Sequence, residues 1–124
     1  MLQTVWIELP VKDITRALQF YRTVFQLGDI AINDDGTRKT AVLANTGEGG
    51  SPGLSLTQVA GFNPSDKSGV WLYLSTGEDF DGHAARVKQA GGTLVNERVS
   101  MGEAGTYTSF IDTEGNLLSL YTYP

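Results

Sequence analysis

Apolar and polar positions along the chain fall into two periods, and the same order of periods occurs twice. Residues 4–9 alternate strong β formers with other side chains, which predicts a strand. Ile14, Ala17, Leu18, Tyr21, Val24 and Phe25 follow at the three-and-four spacing of one buried helical face. Asp13 stands where an N-cap belongs, and Gly28 stands as the stop after Leu27. Residues 29–33 and 38–44 flank Asn33-Asp34-Asp35-Gly36, an Asp-Gly hairpin signal. Residues 45–53 hold four glycines and a proline and read as a flexible loop. Residues 53–58 close the half as a strand. The second half repeats the sequence of elements. A strand is expected over 70–75, and a helix over about 80–90, capped by Asp79. That helix has Phe80, Ala84 and Val87 on its inner face and Gly91-Gly92 at its end. Strands follow at about 93–98, 105–111 and 116–122.

The repeat is visible in the residues themselves. Val5-Trp6-Ile7-Glu8-Leu9 resembles Val70-Trp71-Leu72-Tyr73-Leu74 at an offset of 65, and Leu54-Ser55-Leu56-Thr57 resembles Leu118-Ser119-Leu120-Tyr121 at an offset of 64. Two matches at nearly one offset indicate a duplicated β-α-β-β-β unit. The first copy covers about 4–58 and the second about 70–122, and the polar, turn-rich segment 61–69 links them. Neither copy is long enough to bury a core alone, so the 124 residues are expected to form one domain.

Strand side chains alternate between faces. Val5, Ile7, Leu9, Val70, Leu72, Leu74, Leu54, Leu56, Leu118 and Leu120 give an aliphatic face, expected to pack on the helices. The other face carries Trp6, Glu8, Ser55, Thr57, Trp71, Tyr73, Ser75, Ser119 and Tyr121. Aromatics with scattered polar groups suit the lining of a small-molecule pocket. They would equally suit a second core layer.

Composition removes several classes of function. With no cysteine there are no disulfides, thiolate metal sites or cysteine nucleophiles. With one histidine, His83, no site in a single chain can use two. Nine Lys and Arg stand against fourteen Asp and Glu, a net charge of −5, which argues against a nucleic-acid partner. No apolar run is long enough to span a bilayer, so no membrane partner is expected. Met1-Leu2-Gln3-Thr4 carries no basic segment leading into an apolar stretch, which makes the cytoplasm the expected location. Gly47-Glu48-Gly49-Gly50 is not followed by Gly-Lys-Ser/Thr and a helix, so a phosphate loop is not expected, and a lid or irregular connection is. Glu78, Asp79 and Asp81 suit a helix N-terminus through its macrodipole. His83, on the second helix, reads as structural.

Val11-Lys12-Asp13-Ile14-Thr15-Arg16-Ala17-Leu18-Gln19-Phe20-Tyr21 resembles the opening V-x-D-x-x-R-A-x-x-F-Y helix of the vicinal oxygen chelate superfamily. That group contains glyoxalase I, extradiol dioxygenases and bleomycin resistance proteins. Gly91-Gly92-Thr93-Leu94-Val95 resembles the exit of its second helix. Asp112-Thr113-Glu114-Gly115-Asn116 resembles its D-P-[DE]-G-N turn, with Thr113 where Pro is usual. The resemblance implies an α+β fold of two paired βαβββ modules, with a curved mixed sheet around a cleft, helices on the outer face, and commonly a homodimer. It also implies four metal-ligand positions in metal-dependent members, usually His or Glu. These correspond here to Trp6, Ser55, Trp71 and Ser119. Indole N–H only donates, and a neutral hydroxyl is a poor substitute for carboxylate or imidazole. A metal-free member with no cofactor is therefore expected.

Three functions remain open. One is a binding protein that holds a small aromatic or hydrophobic molecule between Trp6, Trp71, Tyr73 and Tyr121, with Glu8, Ser55 and Ser119 as polar contacts. The second is a glyoxalase-related lyase, isomerase or dioxygenase acting on a small oxygenated substrate. There Glu8 would be the catalytic base if buried beside Trp6 and Tyr73. It would otherwise reach water or pair structurally with Tyr73. The third is an interaction module whose cleft its own side chains fill.

Overall fold

The computed structural model describes residues 2–47 and 50–124. Its element order is β1 (Trp6–Pro10), α1 (Ile14–Phe25), β2 (Asn33–Asp34), β3 (Arg38–Ala44), β4 (Gly53–Val59), β5 (Leu72–Ser75), α2 (Phe80–Gln89), β6 (Thr93–Leu94), β7 (Val99–Ser100), a short 3-10 turn at Gly102–Ala104, β8 (Thr106–Ile111) and β9 (Leu117–Thr122). The strands form two mixed sheets, ordered β1-β4-β3-β2 and β5-β9-β8-β6, with β7 also paired to β8. β1 runs parallel to β4 and β5 parallel to β9, while the other pairings are antiparallel. The fold is α+β, with the βαβββ order present twice and neither sheet closed into a barrel.

α1 buries Ile14, Ala17, Leu18, Phe20, Tyr21 and Val24. Phe20 falls off the expected stripe, yet its ring lies 6.1 Å from that of Phe110 on β8. α1 is thus buried on two sides, because it touches α2 of the second module as well as β3 and β4 of its own. One core joins Leu9, Ala41 and Leu56 of the first module to Phe80, Val87, Phe110, Leu118 and Leu120 of the second. The aliphatic sheet face packs on the helices at these positions. It does not do so along its whole length. Val5 and Val70 are exposed. Ile7 and Leu72 border an apolar groove of about 730 Å³ between the unpaired edges of β1 and β5.

The motif residues hold the modules together from behind. The Tyr21 hydroxyl donates to Asp112 Oδ2 at 2.6 Å. Burial, and then the charge of Asp112, push that phenol well above its ordinary ionisation range. Asn116 donates to the carbonyl of Pro10 at 2.7 Å. The Glu114 side chain is 0% exposed. It accepts the backbone N–H groups of Lys12 and Asp13, at 2.9 and 2.8 Å. It also accepts Arg16 Nε at 2.7 Å. A carboxylate of the second module thereby satisfies donors at the start of a first-module helix, where the helix dipole also favours it.

Several boundaries differ from expectation. α1 ends on Gln26, which takes the left-handed conformation at φ 53°, before Gly28 is reached. Of the strand expected over 29–33 only Asn33 forms, in the two-residue β2 that runs on to Asp34, because Ile30 turns to the core whereas Ile32 lines a cavity. Of the strand expected over 93–98 only Thr93–Leu94 forms, as β6, and β7 (Val99–Ser100) lies beyond it. The Asn96 side chain intervenes and takes the N–H of Ser109 in place of a backbone carbonyl. β5 begins at Leu72, after Val70 and Trp71. Asp79 precedes α2 but makes no side-chain cap, and its carboxylate bonds Arg86 instead. Of the glycine-rich loop, Glu48 and Gly49 lie outside the described residues.

Candidate functional site

On the face turned away from the helices the two modules present matched positions. Glu8 is in register with Ser55 across β1 and β4, and Tyr73 with Ser119 across β5 and β9. Two residues earlier stand Trp6, the first residue of β1, and Trp71, just ahead of β5. Trp6 Nε1 donates to Ser55 Oγ at 3.3 Å. Trp71 Nε1 donates to Ser119 Oγ at 2.8 Å, and Ser119 Oγ lies 2.9 Å from Ser109 Oγ. The four positions singled out from sequence therefore meet as two bonded pairs, one in each module. Trp6 is 43% exposed and Trp71 52%, so both indoles keep an open face. The Trp6 ring rests on Gly53, where an added Cβ would lie 2.2 Å from Cε3 and Cζ3. Only glycine lets the indole lie down on the strand there.

The first-module face borders a cavity of about 570 Å³, walled by Trp6, Glu8, Ile32, Asp35, Arg38 and Ser55 among others. Its walls come from the first module alone. Glu8 accepts from Thr57 Oγ1 at 2.9 Å and pairs with Arg38. Tyr73 is not its partner, and its side chain is 37% exposed rather than buried. Asp35 accepts the backbone N–H groups of Arg38 and Thr37 at 2.8 and 2.9 Å. Those bonds, with a further contribution from the Arg38 charge, hold its carboxyl below the ordinary range.

The second-module face is uncharged and aromatic. Trp71 stacks on Tyr73 with ring centroids 6.3 Å apart and planes at 16°. Tyr73 meets Tyr107 edge-on at 5.8 Å. The Tyr121 hydroxyl is engaged by the carbonyl of Ala104 at 2.6 Å. The structure sets Trp71, Tyr73 and Tyr121 on this face, and packs Tyr73 between Trp71 and Tyr107, which the sequence reading did not foresee.

A divalent metal does not fit the four positions. Both indoles are donors, and both serine oxygens already accept from them. Among the described residues no group of three or more His, Cys, Asp or Glu could hold an ion. His83 lies on α2 with Nδ1 2.7 Å from the carbonyl of Asp79 and its ring edge-on to Phe25 at 5.1 Å. It is part of the helix packing. Among the described residues no helix is long and apolar enough to cross a membrane.

Arg38, Asp35 and Gly53 were missed. The alternation of β3 puts Arg38, Thr40 and Val42 on one face and Lys39 and Ala41 on the other, which was legible. Which face met Glu8 depended on the register with β4, where Val42 opposes Ser55.

The sequence profile of the Glyoxalase/Bleomycin resistance protein/Dioxygenase superfamily matches residues 3–120. No curated protein gives a match. Among solved structures, a glyoxylase/bleomycin resistance protein/dioxygenase domain from Frankia sp. EAN1pec superposes with TM-score 0.76 at 16% identity, covering 100% of this chain and 99% of that one. A hypothetical protein from S. aureus gives TM-score 0.69 at 23% identity, covering 98% and 95%. Glyoxalase I from Zea mays gives 0.73 at 18%, covering 96% of this chain and 44% of its own length. At these identities the likeness is one of fold.

Proposed function

The chain belongs to the Glyoxalase/Bleomycin resistance protein/Dioxygenase superfamily, and on that premise we propose that it is a metal-independent member that binds a small aromatic or hydrophobic molecule at the sheet face. The main support is the closure of each Trp–Ser pair on itself, Trp6 on Ser55 and Trp71 on Ser119. Positions that would bring a cation and its substrate together instead bond to each other and leave flat indole surfaces open. A planar molecule stacks on Trp6, with Glu8 and Ser55 at its polar edge. The first-module cavity has walls from one module only. In a homodimer, the aromatic face carrying Trp71, Tyr73 and Tyr121 of a second copy would close it.

The test is a titration with a panel of neutral and charged aromatics, followed by tryptophan emission in the wild type and in Trp6→Ala, with light scattering for the dimer. Saturable quenching that Trp6→Ala abolishes is the expected result. Silence across the panel would sink the proposal. A stoichiometric divalent ion in the purified protein would instead favour a lyase, isomerase or dioxygenase on a small oxygenated substrate.

A further inference from the structure

The duplication lets the two modules be compared position by position, and on this face the opening segments Trp6–Glu8 and Trp71–Tyr73 differ in charge at one place. Where the second module has Tyr73 opposite Ser119, the first has Glu8 opposite Ser55. Arg38 pairs with that Glu8. Arg38 reaches it through Nη2 alone, with its side chain 42% exposed. An ion pair held at one point and open to water contributes little and exchanges readily. Asp35 adds a second carboxylate to the same wall. Asp34 borders the cavity as well, with its Oδ1 accepting the N–H of Gly36. Glu8, Asp34 and Asp35 then share this wall with a single guanidinium, beside an open indole. An incoming anion would meet three carboxylates. An incoming cation would meet a negative wall and the negative face of an aromatic ring.

We propose that the first-module cavity takes a flat organic cation, and that the Arg38 guanidinium is its internal stand-in, competing with the ligand for Glu8. This rests on the binding reading above and narrows it to one ligand class. Arg38 is a specificity-determining residue: it lowers affinity for cations while keeping Glu8 paired in the free protein. The ligand would displace the guanidinium, which has solvent to move into, and would stack on Trp6.

The experiment uses N-methylquinolinium and its neutral isostere 1-methylnaphthalene, with binding followed at the indole N–H of Trp6 in nitrogen–proton correlation spectra. The Trp6 resonance is assigned by its loss from the spectrum of Trp6→Phe. The quantity read is the ratio of the two affinities. Glu8→Gln is expected to lower that ratio by about tenfold, equivalent to about 1.4 kcal/mol. Arg38→Gln is expected to raise it by about threefold to fivefold, the size of one half-exposed competing charge. A ratio unchanged in both variants, or lowered by Arg38→Gln, would overturn the cation assignment while leaving aromatic binding intact. If neither probe moves the Trp6 resonance, the binding reading fails with it.

Discussion

Removing the Glu114 carboxylate should unfasten the modules, and the cost can be worked from its contacts. In Glu114→Ala the backbone donors of Lys12 and Asp13 lose their acceptor. Both residues are exposed, so water can reach the freed N–H groups and each costs about 1 kcal/mol, the low end for an unsatisfied donor. Arg16 is half exposed and regains water, so its loss is discounted. The favourable charge at the α1 N-terminus, worth about 0.3–1 kcal/mol, also goes. Together these give a loss of about 3 kcal/mol, or roughly 12 °C in Tm for a chain of this size. Glu114→Gln keeps the shape and one acceptor oxygen and should lose about 1–2 kcal/mol. The pH dependence gives a second handle. Burial acts to raise the Glu114 pKa, but the bonds from Arg16, Asp13, Thr113 and Lys12 outweigh it, so the folded value lies below the ordinary 4.5. A depressed carboxyl contributes stability above its unfolded pKa and loses it as pH falls through the folded value. Urea unfolding of the wild type should therefore weaken on acidification below about pH 4.5, and the Gln variant should do so less. Equal stability of Glu114→Ala and wild type at pH 7, or parallel acid profiles for wild type and Gln, would refute this account of the clamp.

Three other substitutions test neighbouring claims. Gly53→Ala places a Cβ 2.2 Å from the Trp6 ring. It should lift the indole and weaken aromatic binding by about tenfold at little cost in stability, because the ring has solvent to move into; calorimetry with an aromatic probe and a thermal melt separate the two effects. Tyr21→Phe removes a buried hydroxyl but leaves Asp112 Oδ2 bonded to Asn116, so a urea-measured loss of about 1 kcal/mol is expected. Because burial and Asp112 raise the Tyr21 pKa above 10.0, the wild type should also lose stability as pH rises beyond about 10, and the Phe variant should lose less. Gly92→Ala drives a Cβ to 2.7 Å from Phe20 and 3.0 Å from the Ile111 carbonyl. Overpacking between the modules should cost about 1–3 kcal/mol by urea unfolding.

The duplication, both helices and the Trp–Ser positions were readable because each is written in a local period or in a matched pair of segments. What the sequence hid was long-range. Asn96 interrupts a ladder only because Ser109 lies opposite it. Phe20 is buried only because Phe110 arrives from the other module. Arg38 belongs to the candidate site only because β3 and β4 settle into one register out of several. The family motif residues were legible as a signature, but their work as inter-module fasteners depends on contacts about a hundred positions apart along the chain, such as Lys12 with Glu114.

Those fasteners lie on the helix side of the sheets, and the open indoles lie on the other. Drift at Trp6, Glu8, Arg38 or Ser55 can therefore retune what is recognised without loosening Tyr21, Asp112, Glu114 or Asn116. Such a separation makes the scaffold evolvable: recognition can be rewritten in one lineage after another while the architecture is inherited intact.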